Sequence, residues 1–296
     1  MRVRLVDLHA EYRALREEIL AAVDEVLQGM NLYLGPKTTA LEEAWAECCG
    51  VRHAVAVASG TDGLTLPLVA NGIGPGDEVI TVGWTFIATI ESIIHVGATP
   101  VIVDVEPDTL TMDVDQLAAA ITPRTRAIIP VHIYGHCADM DPIMELADEH
   151  GLFVLEDAAQ AHGARYHGRP VGSLGHAASF SFYVTKNLSA YGEGGMVTTN
   201  DDNIAERLRL FRNHGRAAKS DHVVVGYNSR LHEIQAAILL VKLRRLEEWN
   251  RRRREIAAIY MERLADLPLR LPVEREGCRH AYHVYGTRVE EREGVL

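Results

Sequence analysis

Cysteine is scarce in this 296-residue chain, which has four: Cys48, Cys49, Cys137 and Cys278. Two are adjacent and none forms a Cys-x-x-Cys pair, so neither a disulfide framework nor a metal site is expected. Buried thiols in a reducing compartment fit that usage. Positive charge is in deficit too. The 30 basic residues face 41 acidic ones, a net charge of -11, which argues against nucleic acid or an anionic membrane as a general partner. A local phosphate site remains allowed. Long apolar runs are missing: none could span a bilayer, and charges interrupt the N-terminus where a secretory leader needs an unbroken apolar core. A cytoplasmic protein is expected. What is present is an ordinary globular composition, 47% hydrophobic and 24% charged, in a chain long enough for a main domain and a smaller second one.

The stretch Ala177 to Asn200 carries the most chemistry. Ala177–Phe182 and Met196–Thr199 read as strands, and the loop between them is rich in small and polar residues and holds Lys186. Stripping the proton from an ordinary lysine at pH 7 costs about 4.6 kcal/mol. Condensation with an aldehyde offsets that cost, because the amine is stored as an imine and released when a substrate amine displaces it. Pyridoxal 5'-phosphate (PLP) is the common aldehyde. Its site demands a carboxylate beside the pyridine nitrogen, donors for the phosphate and an aromatic against the ring.

Each demand has a candidate elsewhere in the chain. Helices are predicted over Tyr12–Leu27 and Thr38–Cys49, and Ala54–Ala58 reads as a strand. Ser59-Gly60-Thr61-Asp62-Gly63 follows at a helix start, where free N–H groups and the helix dipole suit a phosphate; an ordinary capped turn would look the same. Pro67 predicts that this helix is kinked or short. After the strand Glu78–Val82 come Trp84 and Phe86, which share a face if extended, and either could cover a ring or simply pack in the core. Strands over Pro100–Val105 and Arg126–Tyr134 alternate with helices over Asp115–Ile121 and Asp141–His150, the pattern of an α/β domain with a mostly parallel sheet. The strand Leu152–Leu155 ends in Glu156-Asp157-Ala158-Ala159-Gln160. Asp157 therefore sits where ligands gather in open α/β sheets, though a helix N-cap is the plain alternative. Asn203–Phe211 reads as a helix, a single long helix is predicted from Leu231 to Leu264, and His280–Val289 reads as a last strand. The run Arg251–Arg254 reads as a solvated helix face.

Five segments in order resemble the DegT/DnrJ/EryC1/StrS family of PLP-dependent sugar aminotransferases. They are Ser59-Gly60-Thr61-Asp62-Gly63-Leu64, Glu156-Asp157-Ala158-Ala159-Gln160, Ser179-Phe180-Ser181-Phe182-Tyr183 ahead of Lys186-Asn187, Gly192-Glu193-Gly194-Gly195, and Gly226-Tyr227-Asn228-Ser229-Arg230-Leu231. The resemblance implies an α/β fold: a three-layer α/β/α PLP-binding domain over residues 1–240 with an N-terminal helical segment, then a linking helix and a partial small α+β domain over 241–296. It implies that Lys186 forms the internal aldimine, that Asp157 faces the pyridine nitrogen and that Gln160 lies beside the ring hydroxyl. Thr61 and Asp62 N–H groups and the Ser181 hydroxyl would hold the phosphate, and Phe86 rather than Trp84 would stack on the ring. The segment around Asn228 would reach into the neighbouring subunit, giving a homodimer with shared sites. Tyr33, Trp84, Tyr183, Arg230 and His283 are candidate substrate contacts.

The activity so implied moves an amino group from glutamate, through pyridoxamine phosphate, to a nucleotide-linked keto sugar. Gly226-Tyr227-Asn228-Ser229-Arg230-Leu231 and Phe182-Tyr183 look more like members that aminate carbon 3 of a 6-deoxy or related hexose than like those acting at carbon 4. A subgroup that removes a sugar hydroxyl carries histidine in place of the lysine, and Lys186 sets this chain apart from it. Family members extend past the segment corresponding to His280–Val289, so an incomplete small domain is expected. A catalytically impaired relic with a PLP-binding, regulatory or interaction role is the alternative.

Overall fold

A computed structural model describes residues 6–290. Asp7 caps the first helix by accepting the Ala10 N–H at 3.0 Å, so α1 starts at Leu8, a turn before the apolar pattern begins, and runs to Gly29. After α2 (Pro36–Cys49), the alternation starts: β1 (His53–Val57), α3 (Gly60–Ala70), β2 (Glu78–Val82), α4 (Ala88–His95), β3 (Thr99–Val103), α5 (Val114–Ala120), β4 (Thr125–Ile128), α6 (Met140–His150) and β5 (Phe153–Asp157). Pro67 lies inside α3, which runs through it to Ala70. The short pair β6 (Arg165–Tyr166) and β7 (Arg169–Pro170) precedes β8 (Ala177–Ser181), β9 (Gly195–Thr199) and α7 (Asp202–Phe211). A hairpin of β10 (Arg216–Ala218) and β11 (Asp221–His222) leads to α8 (Glu233–Leu243), α9 (Leu246–Leu264) and β12 (Cys278–Arg279).

Seven strands form one sheet in the order β1-β9-β8-β5-β4-β2-β3. Among its described strands β9 alone runs against its neighbours, and the rest are parallel to one another. Because side chains alternate between faces, each strand feeds two cores. Ala54, Ala56, Ile80, Phe180 and Met196 join Trp45 of α2 and Met140 of α6 on one face; Val55, Val57, Val79, Leu155 and Val197 join Leu64 of α3 and Leu208 of α7 on the other. Helices therefore cover both faces of a mostly parallel sheet.

Four expectations need correction. The strand read over Arg126–Tyr134 stops at Ile128, because Pro130 has no N–H to donate and the chain then turns through a short 3-10 segment with Tyr134 at φ 57. The single helix read over Leu231–Leu264 is two, broken at Arg244 and Arg245. His280–Val289 is not a strand, since Tyr282 turns through φ 44; Ala281 and His283 donate to the carbonyls of Gly135 and Tyr134, and Arg288 bridges to Arg270. The arginine run is not wholly solvated. Arg251 and Arg252 pair with Glu255 outside, whereas Arg253 donates to the carbonyls of Tyr282 and His283, and Arg254 to Glu274 and the His280 carbonyl. Two of the four thus pin the C-terminal segment against α9.

Candidate active site

The C-terminal ends of β1, β2, β5 and β8 open into a cavity of about 460 Å³, within the usual range for a small-molecule site. Lys186, Asp157, Thr61, Phe86, Gln160, Ser181 and Tyr183 all line it. Residues up to 134 positions apart in sequence (Ser59 to Glu193) meet there because parallel strands deliver their loops to the same edge.

One wall is the start of α3. Its first N–H groups, on Gly60 and Thr61, have no acceptor within the helix, and both residues line the cavity. Glycines let this helix press against the sheet. A Cβ on Gly60 would lie 2.6 Å from that of Ser181, one on Gly63 would lie 2.4 Å from the Ser179 hydroxyl, and one on Gly195 would lie 2.3 Å from the Ser59 carbonyl. Asp62 departs from expectation. Its N–H caps onto the Ser59 hydroxyl at 3.1 Å, and its carboxylate accepts from Ser229 at 2.7 Å, away from the cavity lining. That placement turns the carboxylate away from the free N–H groups of Gly60 and Thr61.

Asp157 is buried at the end of β5. Its Oδ2 accepts from the Thr89 hydroxyl at 2.7 Å and its Oδ1 from the Ala159 N–H at 3.2 Å. Gln160 Oε1 accepts from the Tyr134 N–H at 2.9 Å, which leaves its NH₂ group as the donor available to a ligand. Burial pulls the pKa of Lys186 below its ordinary value, and the charge of Asp157 opposes part of that fall. Two histidines near the lysine are held neutral: burial first, then the Lys186 charge, pushes His162 well down and His283 down to about 3. Lys242 offers a contrast. It is fully buried and its pKa is depressed as well, but its ammonium is spent on Glu11 at 2.6 Å and on Ser189, with no opening onto the cavity. Of the two, Lys186 is the one placed to react.

The other candidates lie elsewhere. Trp84 lines a smaller recess next door with Phe86, Tyr134 and Gln160. Arg230 lies over the Tyr33 ring at 4.3 Å, outside the cavity. Asn228 is exposed and bridges to Asn213. His283 Nδ1 lies 3.2 Å from Asn187 Oδ1, behind the lysine loop. Thr85, Thr89, Thr185 and Glu193 line the cavity and were not singled out from the sequence. Thr85 and Thr89 could have been found from their four-residue spacing at a helix start, and Glu193 from its place in Gly192-Glu193-Gly194-Gly195; Thr185 carries no signal beyond its closeness to Lys186.

The DegT/DnrJ/EryC1/StrS aminotransferase family matches residues 13–295. This chain belongs to it. It is 49% identical to a Streptomyces venezuelae dTDP-3-amino-3,4,6-trideoxy-alpha-D-glucose transaminase, over 99% of this chain and 77% of that protein. It is 47% identical to a Geobacillus stearothermophilus protein called a pleiotropic regulatory protein, over 99% of this chain and 80% of the other. The crystal structure of S. venezuelae DesV in complex with a ketimine intermediate superposes with a TM-score of 0.97 at 49% identity, covering 99% of this chain and 80% of DesV. This chain is accordingly an α/β aminotransferase.

Proposed function

We propose that this chain is a PLP-dependent aminotransferase that takes an amino group from glutamate and gives it to a keto sugar carried on a nucleotide, at carbon 3 of the sugar. One observation carries the reading: a half-buried lysine, a buried carboxylate and an unspent helix N-terminus converge on one cavity. That donor set fits PLP, whose phosphate, ring nitrogen and aldehyde ask for those three groups. Bound there, the cofactor supplies an aldehyde that exchanges amines and a ring that takes up negative charge from the substrate carbon.

The remaining work falls to the protein's own residues. The N–H groups of Gly60 and Thr61 and the Ser181 hydroxyl hold the phosphate, Phe86 covers the ring, and the Gln160 amide donates to the ring oxygen. Asp157 favours a proton on the ring nitrogen. Lys186 holds the covalent link, and its freed amine, made less basic by burial, moves the proton at the substrate carbon. Trp84, Tyr183 and, through Asn187, His283 border the space left for the sugar. Asn228, Arg230 and Tyr33 serve a second copy of the chain in a homodimer. The exposed apolar run Val223, Val224, Val225 and Tyr227 just before Asn228 supports such an interface. Among the described residues no helix is long and apolar enough to cross a membrane, and we place the protein in the cytoplasm.

The test is the half-reaction. PLP-loaded protein given glutamate should release 2-oxoglutarate, and the aminated protein should then convert a nucleotide-linked 3-keto hexose to its 3-amino product. Cofactor binding without 2-oxoglutarate release would reject the enzyme and favour the regulatory reading, which the name of the G. stearothermophilus relative motivates.

A further inference from the structure

We propose that Thr89, backed by Thr85, is a positioning residue that fixes the orientation of the Asp157 carboxylate and so its grip on the ring nitrogen. The inference rests on the role given to Asp157 above. Thr89 is fully buried and Asp157 nearly so. The Thr89 hydroxyl has one proton and three polar neighbours: Asp157 Oδ2 at 2.7 Å, Thr85 Oγ1 at 2.8 Å and the Phe86 carbonyl at 3.2 Å. The carboxylate is both the nearest and the strongest acceptor, so the proton goes to it. Thr85 must then donate in its contact with Thr89, since Thr89 has nothing left to give. A directed chain results, Thr85 to Thr89 to Asp157.

Asp157 has little else to hold it. Its other oxygen takes the longer bond from Ala159 at 3.2 Å, and the Lys186 charge attracts it without a hydrogen bond among the described residues. A carboxylate fixed by one short bond can turn when that bond is lost. The relay also shares its support with the ring-covering residue, because Phe86 lies between the two threonines and α4 has no side-chain N-cap of its own. One turn of chain thus sets both the aromatic that covers the ring and the hydroxyl that steadies the carboxylate.

The experiment loads the full chain with PLP carrying ¹⁵N at the ring nitrogen and reads its NMR shift alongside the glutamate half-reaction. Wild type should show a protonated ring nitrogen. Thr89→Val should move the resonance toward the unprotonated value and slow the half-reaction roughly tenfold, as expected for losing a hydrogen bond to a charged group. Cofactor affinity should hold, because the phosphate cradle is untouched, and Thr89→Ser should restore both readouts. A Thr89→Val protein with the wild-type resonance and rate, beside an impaired Asp157→Asn, would overturn the relay while leaving Asp157 its role. Equal damage from Val and Ser would also overturn it, since packing rather than the hydroxyl would then be responsible. An Asp157→Asn protein that keeps the wild-type resonance would remove the role of Asp157 and the relay with it. Should Thr89→Val fail to fold, Thr85→Val carries the test: a smaller shift in the same direction is expected, and an unchanged resonance overturns the proposal.

Discussion

Lys186 and Asp157 differ in what each must supply, and substitution separates them. Asp157→Ala leaves untouched Gly60, Thr61 and Ser181, which line the cavity and are proposed to hold the phosphate, so PLP should still bind while the glutamate half-reaction falls by roughly a hundredfold or more, the scale of one well-placed electrostatic group. Parallel titrations of binding and turnover check this, and equal losses in both would contradict it. These two residues were legible in the sequence because their signals are local: a carboxylate closing an apolar strand, and a lysine in a loop between two strands. Thr89 was not, since its importance lies in a hydroxyl reaching across 68 positions to Asp157. Asp62 stands outside the cavity lining for a related reason. A helix start announces free N–H groups, but which of them is spent on the cap depends on the Ser59 rotamer, and where the carboxylate turns depends on Ser229, 167 residues away.

At the scale of elements, α2 shows how a distant side chain replaces a local signal. Its N-cap is Gly35, which has no side chain to offer, and Pro36 follows. The cap comes from α8 instead: buried Glu233 accepts the N–H groups of Gly35, Lys37 and Thr38 at 2.8–2.9 Å, and the Thr38 hydroxyl as well. Glu233→Ala would strand buried donors, and we expect a loss of about 3 kcal/mol in chemical denaturation, with Glu233→Gln losing less. A loss near zero for the alanine variant would show that water satisfies those groups. Strands and helices of the alternating region were readable because two-residue and helical periods are printed in the apolar pattern. The C-terminal elements were not. Arg253 and Arg254 look like a charged surface in sequence, yet they hold the segment around His280–His283 through its carbonyls, and that segment in turn lies along the Tyr134 turn instead of forming a strand. Neither contact leaves a periodic trace.

Over the whole molecule, burial sets a pH dependence. His136, His162, His176, His280 and His283 all have pKa values lowered chiefly by burial. Below the ordinary histidine value of 6.5 the unfolded chain takes up protons that the folded one refuses, so unfolding gains from acid. Stability from these groups is therefore fully present above pH 6.5 and is lost as pH falls below it, toward the value of about 3 reached by His283. The melting temperature should stay level between pH 7 and 8 and drop from pH 6.5 to 5; a flat profile would mean that the histidines find partners when charged. The central claim, that Lys186 is the residue which holds PLP, has a more direct test. The protein is loaded with PLP, reduced with borohydride, digested, and the peptide carrying the cofactor is sequenced. The expected result is a single modified residue, Lys186, and no attachment in Lys186→Ala. Attachment at Lys242 or at surface lysines, or an unmodified chain, would contradict the account.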